Sequence, residues 1–253
     1  GECGGVYIYA YIHICRCIFV LFFLGTLVSG EAIYQIFSLY YFDNPQFSYW
    51  QPLTHMFMHG GWMHLLFNMY ALWAFGAPLE AQWGRNKFLF FYFSAGLGAA
   101  LIHSLVNWYY VSQGIETLMS MGMSVQEVGD LLNNTLTPGS YRVIPDMGPG
   151  MDQQLFTAYN TPAVGASGAI YGILVAFGML YPHVELMLIF VPFPIKAKYF
   201  IPILLALDLF SGLTGSSLFG QNIANWAHLG GALFGFIMAY YWRKNSFNDK
   251  RWY

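Results

Sequence analysis

Ser167 stands in the run Gly165-Ala166-Ser167-Gly168-Ala169-Ile170-Tyr171-Gly172, at the head of an otherwise apolar helical stretch. Glycine and alanine around it let other backbone approach the hydroxyl, and the first N–H groups of a helix have no carbonyl partners within that helix. This makes Ser167 a candidate nucleophile with hydrogen-bond donors beside it. The same composition also suits a packing seam, because small residues are enriched where membrane helices touch. Two further segments favour chemistry. HGGWMHLLFN, from His59 to Asn68, places His64 and Asn68 four residues apart on one helical face. AHLGGALFG, from Ala227 to Gly235, puts His228 on the stripe that carries Gly231 and Gly235, a groove through which a neighbouring helix could bring its serine to the imidazole.

These residue types support acyl transfer. His228 as general base can take the Ser167 proton and later return it to a leaving amine. Asn68, His64 and the free N–H groups at the head of the serine-bearing helix could donate to the oxyanion of a tetrahedral intermediate. Tyr171, four residues after Ser167, could stack on the imidazole or serve as core. No acidic residue adjoins His228 in sequence, and Asp208 is the intramembrane carboxylate that stands out, so a Ser/His dyad is expected rather than a triad. His55 and His59 are also four apart and could be read as two metal ligands. No third ligand is evident, and His64 lies about 140° round a regular helix from His59. No metal and no cofactor are expected. His103 shows no partner in its own helix and reads as structural.

The elements that must hold these residues are membrane helices. Of 253 residues, 57% are hydrophobic and only 9% charged, against about 25% charged in soluble domains. The net charge of -2, without a basic run outside the C-terminal tail, gives no reason to expect nucleic acid. Cys3, Cys15 and Cys17 show no disulfide framework or zinc-finger spacing. The opening GECGGVYIYAYIHICRC has neither a basic n-region nor a small-residue cleavage site and does not read as a signal peptide. Six apolar stretches read as spans, from about Val6 to Val28, Gly60 to Leu79, Phe88 to Val106, Ala163 to Leu180, Tyr199 to Leu213 and Trp226 to Trp242. Leu186 to Pro194 is apolar but short and holds two prolines, so an interfacial or re-entrant piece is expected there.

Nine of the ten basic residues are assigned to one side, Arg16 near the N-terminus and the other eight in loops and the C-terminal tail, and only Arg142 falls on the other. Cytoplasmic loops carry the positive excess, so both termini are expected in the cytoplasm. His64, Asn68, Ser167 and His228 then all lie near the non-cytoplasmic entry of their helices and can meet at one depth. Residues 107–162 form an extended non-cytoplasmic loop in this reading, with a capping box at Ser124-Val125-Gln126-Glu127 opening a short surface helix to Asn134 and a turn-rich TPGSYRVIPDMGPG beyond. No second domain is expected in residues 1–253.

With these residues assembled, the chain resembles the rhomboid intramembrane serine proteases over roughly residues 50–242, through HGGWMHLLFN, GASGAIYG and AHLGGALFG in that order, and through LEAQWGRNKF after the second span. The resemblance implies an all-α polytopic membrane protein, a six-transmembrane-helix bundle with an unsealed, water-reaching cavity. It implies Ser167 as nucleophile, His228 as base, His64 and Asn68 as oxyanion partners, Tyr171 as the ring packed on His228, and Gly165 as a supporting position. The expected activity is cleavage of transmembrane segments near the non-cytoplasmic face. The expected partners are membrane-protein substrates with unstable helices and the lipid bilayer itself, in the cell (inner) membrane if the source is bacterial. Residues 29–58 lack the Trp-Arg pair common in the family's first loop, and the 107–162 insertion is longer than in compact bacterial members. The alternative is a non-catalytic rhomboid-like protein that binds membrane helices, although such members usually lack the serine or the histidine. A transporter would need charged groups along a pathway, whereas the polar residues here collect near one face. No HExxH and no pair of intramembrane aspartates point to another protease class.

Overall fold

A long helix forms where apolar and small residues recur without a breaker, and Arg85 to Ser120 is the longest such run in the chain. The computed structural model describes residues 9–24, 31–134, 142–187, 193–215 and 224–245. Residues 1–8, 188–192 and the tail with Lys250 and Arg251 lie outside these, as does part of the turn-rich segment at 137–141. The expected re-entrant piece therefore falls largely outside the described residues. Its flanks pair as a short antiparallel ladder of β1 (Glu185–Leu186) with β2 (Ile195–Lys196).

The helices are α1 (Ala10–Leu24), α2 (Glu31–Phe37), α3 (Gln51–Thr54), α4 (Trp62–Ala71), α5 (Ala77–Trp83), α6 (Arg85–Ser120), α7 (Val125–Asn133), α8 (Met151–Asn160), α9 (Ser167–Leu180), α10 (Ala197–Thr214) and α11 (Ala224–Lys244). Helix occurs at all six places where a span was expected. Among the described residues, α6 and α10 are long and apolar enough to cross a membrane on length and composition alone, while α1 and α9 are shorter apolar helices. The second expected span is one rod in three parts, since a π-turn at Leu72–Gly76 joins α4 to α5. Pro78 has no N–H to continue the ladder at that point, which gives the wider turn its cause.

The expected extended loop at 107–162 is largely helical. Hydropathy falls after Val106, but Asn107, Val111, Gly114 and Leu118 lie on one face of α6 and are all buried, so the helix continues fourteen residues past Val106. The capping box is present, with the Ser124 hydroxyl accepting from the Glu127 N–H and the Glu127 carboxylate accepting from the Ser124 N–H, and it opens α7 as the sequence suggests. α8 was not anticipated. It lays Leu155 and Phe156 against Leu118 and Val111 of α6, and α7 adds Val128 and Leu132, forming a second apolar cluster at one end of α6. Fully buried side chains of this size contribute about 1.5–3 kcal/mol each, enough to fix the segment as structure.

The main core lies between α6, α9 and α11, around Phe88, Phe91, Tyr92, Ile173 and Ala176. Here the glycine groove is used. A Cβ on Gly231 of α11 would overlap the Gly168 carbonyl of α9, and one on Gly172 would lie 2.9 Å from the Gly231 carbonyl. Small residues thus bring two helix backbones into contact. At the opposite end from the second cluster, Lys87 lies 4.6 Å from the centroid of the Trp242 ring, and Tyr181 donates to Gln82 at 2.9 Å. The carboxylate of buried Glu80 in α5 accepts from the N–H groups of Ala10 at 2.6 Å and Tyr11 at 3.0 Å, tying α1 to the bundle.

Candidate active site

Ser167 is the first residue of α9, which begins four residues later than the hydropathy suggested because Ala163 is extended and bridges Leu39. The first intrahelical bond of α9 runs from the Ile170 N–H to the Ala166 carbonyl at 3.0 Å. The N–H groups of Ser167, Gly168 and Ala169 precede it and stand at the positive end of the helix dipole. Gly165 holds φ at 120°, a conformation L side chains rarely adopt, and a Cβ there would lie 2.8 Å from the His64 ring. Glycine at this position lets the imidazole of α4 lie beside the backbone that leads into Ser167.

His228, on the first turns of α11, places Nε2 2.9 Å from Ser167 Oγ. Tyr171, one turn beyond Ser167, stacks on the His228 ring with centroids 4.1 Å apart and planes 10° apart. His64 Nδ1 accepts from the Gly60 N–H at 3.3 Å, so in the neutral ring Nε2 carries the proton and faces Gly165. These groups and Asp208 line one cavity of about 1600 Å³. An imidazole nitrogen within hydrogen-bond reach of a hydroxyl, and the early N–H groups of the helix that this serine opens, are the parts needed to raise a serine to an alkoxide and hold the resulting oxyanion.

Asn68 is placed differently from the others. It is buried, it is not among the residues lining the cavity, and its Nδ2 donates to the His64 carbonyl at 2.7 Å within α4. His103 is not alone, as Asn107 Nδ2 lies 3.0 Å from its Nε2. His55 turns Nδ1 to the Gln51 carbonyl at 3.1 Å, and burial pulls its pKa down to about 4. The His59 ring lies 5.0 Å from that of His64. Sequence reasoning named Asp208 and left it aside. In the structure its Oδ2 is 3.4 Å from His228 Nδ1, a juxtaposition between separate helices that no spacing within one motif could reveal.

A family model described as Rhomboid domain matches residues 46–130 and 144–245. The chain is 27% identical over 221 residues to a protein named rhomboid protease AarA from Providencia stuartii, with 85% of this chain and 61% of the relative covered. It is 27% identical over 216 residues to an uncharacterized mitochondrial rhomboid protein of Schizosaccharomyces pombe, with 78% and 53% covered. Over a shorter stretch of 84 residues it is 30% identical to rhomboid protease GlpG of Klebsiella pneumoniae, with 33% and 29% covered. The chain thus spans between about half and three fifths of the length of the first two relatives.

Proposed function

Because this chain belongs to the rhomboid family of integral membrane proteins, which includes serine proteases, we propose that it is an intramembrane serine endopeptidase working through Ser167 and His228. The observation that carries this reading is the 2.9 Å contact between Ser167 Oγ and His228 Nε2 at the head of α9. In the reaction, His228 Nε2 takes the hydroxyl proton as Ser167 Oγ bonds to the scissile carbonyl carbon. The oxyanion accepts from the early N–H groups of α9 and from His64 Nε2–H, with Asn68 supporting the His64 turn. The proton passes to the leaving amine as the C–N bond breaks, leaving an acyl-enzyme. A water then attacks, giving its proton to His228, and Ser167 leaves with that proton restored. No cofactor enters these steps.

The reading extends to topology and substrate. We place the bundle as six spans in a single domain with both termini cytoplasmic, because eight of the ten basic residues fall in the loops and C-terminal tail of one side and Arg142 alone in those of the other, while Arg16 lies within α1. Ser167 then opens toward the non-cytoplasmic face. A peptide bond inside a stable helix is shielded by its own hydrogen bonds, so the substrates are membrane proteins whose spans carry glycine, proline or other helix-weakening residues in their outer part. The cavity is large enough for a stretch of extended chain. The alternative, a non-catalytic member that binds membrane helices, is disfavoured by the presence and contact of both Ser167 and His228.

The test is labelling with a serine-directed fluorophosphonate in detergent or bilayer, with Ser167→Ala as control. Labelling of the wild-type chain and none of Ser167→Ala is expected. Equal labelling of both, or cleavage of a model span by Ser167→Ala, would end the proposal.

A further inference from the structure

A histidine that accepts a proton at Nε2 must carry its own proton at Nδ1, and a buried Nδ1–H needs an acceptor. In this site Nδ1 of His228 and Oδ2 of Asp208 are both buried atoms without a hydrogen bond of good geometry, and they face each other at 3.4 Å. The side chains are 16% and 13% exposed, so little water competes for either atom. Asp208 comes from α10, whereas Ser167 and Tyr171 come from α9, and the three meet the ring at different places: Ser167 at Nε2, Asp208 at Nδ1 and Tyr171 on its face. A carboxylate on an apolar helix is costly unless it has a task or a partner. A shift of a few tenths of an ångström would bring the pair to an ordinary charge-assisted hydrogen bond of about 2.8 Å.

Resting on the protease reading, we propose that Asp208 is the positioning residue of His228, accepting from Nδ1–H and so holding Nε2 free toward Ser167. The centre is then a triad drawn from α9, α10 and α11. The carboxylate keeps no proton at any step: the serine proton travels to Nε2 and on to the leaving amine, while Nδ1–H stays on the ring. Asp208 also faces the Tyr171 hydroxyl, so the ring is fixed by a stack on its face and an acceptor at its edge.

The experiment reads the tautomer and the chemistry separately. The full chain is labelled with 15N-histidine in detergent micelles. The His228 ring signals are identified by their loss in His228→Ala and recorded with the imidazoles neutral. Wild type should show the Nδ1–H form, and Asp208→Asn should shift His228 to a mixture or to the Nε2–H form. In parallel, the rate of Ser167 phosphonylation should fall about 10- to 100-fold in Asp208→Asn, as for a misdirected base. Asp208→Glu should recover a measurable part of that loss. If Asp208→Asn does not fold, Asp208→Ser is read in the same way. An unchanged tautomer overturns the assignment, as does an unchanged phosphonylation rate against a labelled wild type. A shifted tautomer in a chain that is never labelled at Ser167 instead leaves Asp208 in its positioning role and removes the protease reading.

Discussion

Gly231 of α11 faces the Gly168 carbonyl of α9 with no room for a methyl group between them. The contact lies one residue along α9 from Ser167 and three along α11 from His228. The small side chains that let the helices touch therefore also set the distance between serine and imidazole.

Gly231→Ala should push the two helices apart. Overpacking of this kind costs about 1–3 kcal/mol, and a melting curve in detergent should show the loss. Phosphonylation of Ser167 should fall even in the fraction that remains folded, because the 2.9 Å contact opens. A variant with wild-type melting and labelling would mean that the backbones are free to separate at no cost.

His64 and Asn68 should separate into two classes of effect. On the proposed mechanism His64→Ala removes an oxyanion donor, and it should cut kcat by about 10²- to 10³-fold with little change in melting. Asn68→Ala breaks a bond to the helix's own backbone, so it should cost about 1 kcal/mol of stability and less of the rate. Turnover of a model transmembrane substrate, measured beside thermal unfolding, distinguishes them. The reverse ranking would place Asn68 at the reacting atoms instead.

Glu80→Ala leaves the N–H groups of Ala10 and Tyr11 without their carboxylate. The expected loss is about 1.5–3 kcal/mol, since bonds to a charged acceptor are the stronger kind. α1 should then be cut by an added soluble protease well before the rest of the chain. Equal resistance of wild type and variant would show that α1 is held by its apolar face alone.

Helix α7 should be pH-sensitive at its start. Hydrogen bonds from the Ser124 backbone and hydroxyl hold the Glu127 carboxyl below its ordinary 4.5. The stability this contributes is present above the ordinary carboxylate range and is lost as pH falls through the lower folded value. Amide exchange across residues 124–133 should accelerate there in the wild type. In Ser124→Ala that pH step should shrink, and an equal step in both proteins would assign the effect to another group.

Much of the site was readable because each motif is local. Ser167 with Tyr171, and His228 with Gly231 and Gly235, are helical spacings, and a helix turns such spacings into faces without reference to anything else. Asp208 was visible only as a carboxylate out of place, because its meaning depends on how α10 docks beside α11. The end of α6 was misplaced for a different reason. Apolar length was used as the measure, whereas the buried stripe through Val111 and Leu118 continues after the mean hydropathy has dropped. α8 carries Leu155, Phe156 and Tyr159 at helical spacing, but a helix of ten residues with so few apolar positions is too short to stand out when apolar length is the measure.

The length of α6 gives the molecule a mast. Thirty-six residues at 1.5 Å each make a rod of about 54 Å, against about 30 Å of hydrocarbon. Close to half of it must therefore stand clear of the oil, and the cluster of α7 and α8 is rigged to that free end. The same rod, lower down, holds Ala99 against Gly168 and Ala95 against Gly172, on the same side of α9 that α11 packs against. A sideways load on the outer cluster is a torque about those alanines. Anything that grips α7 or α8 thus has a handle on the spacing between Ser167 and His228 without entering the cavity.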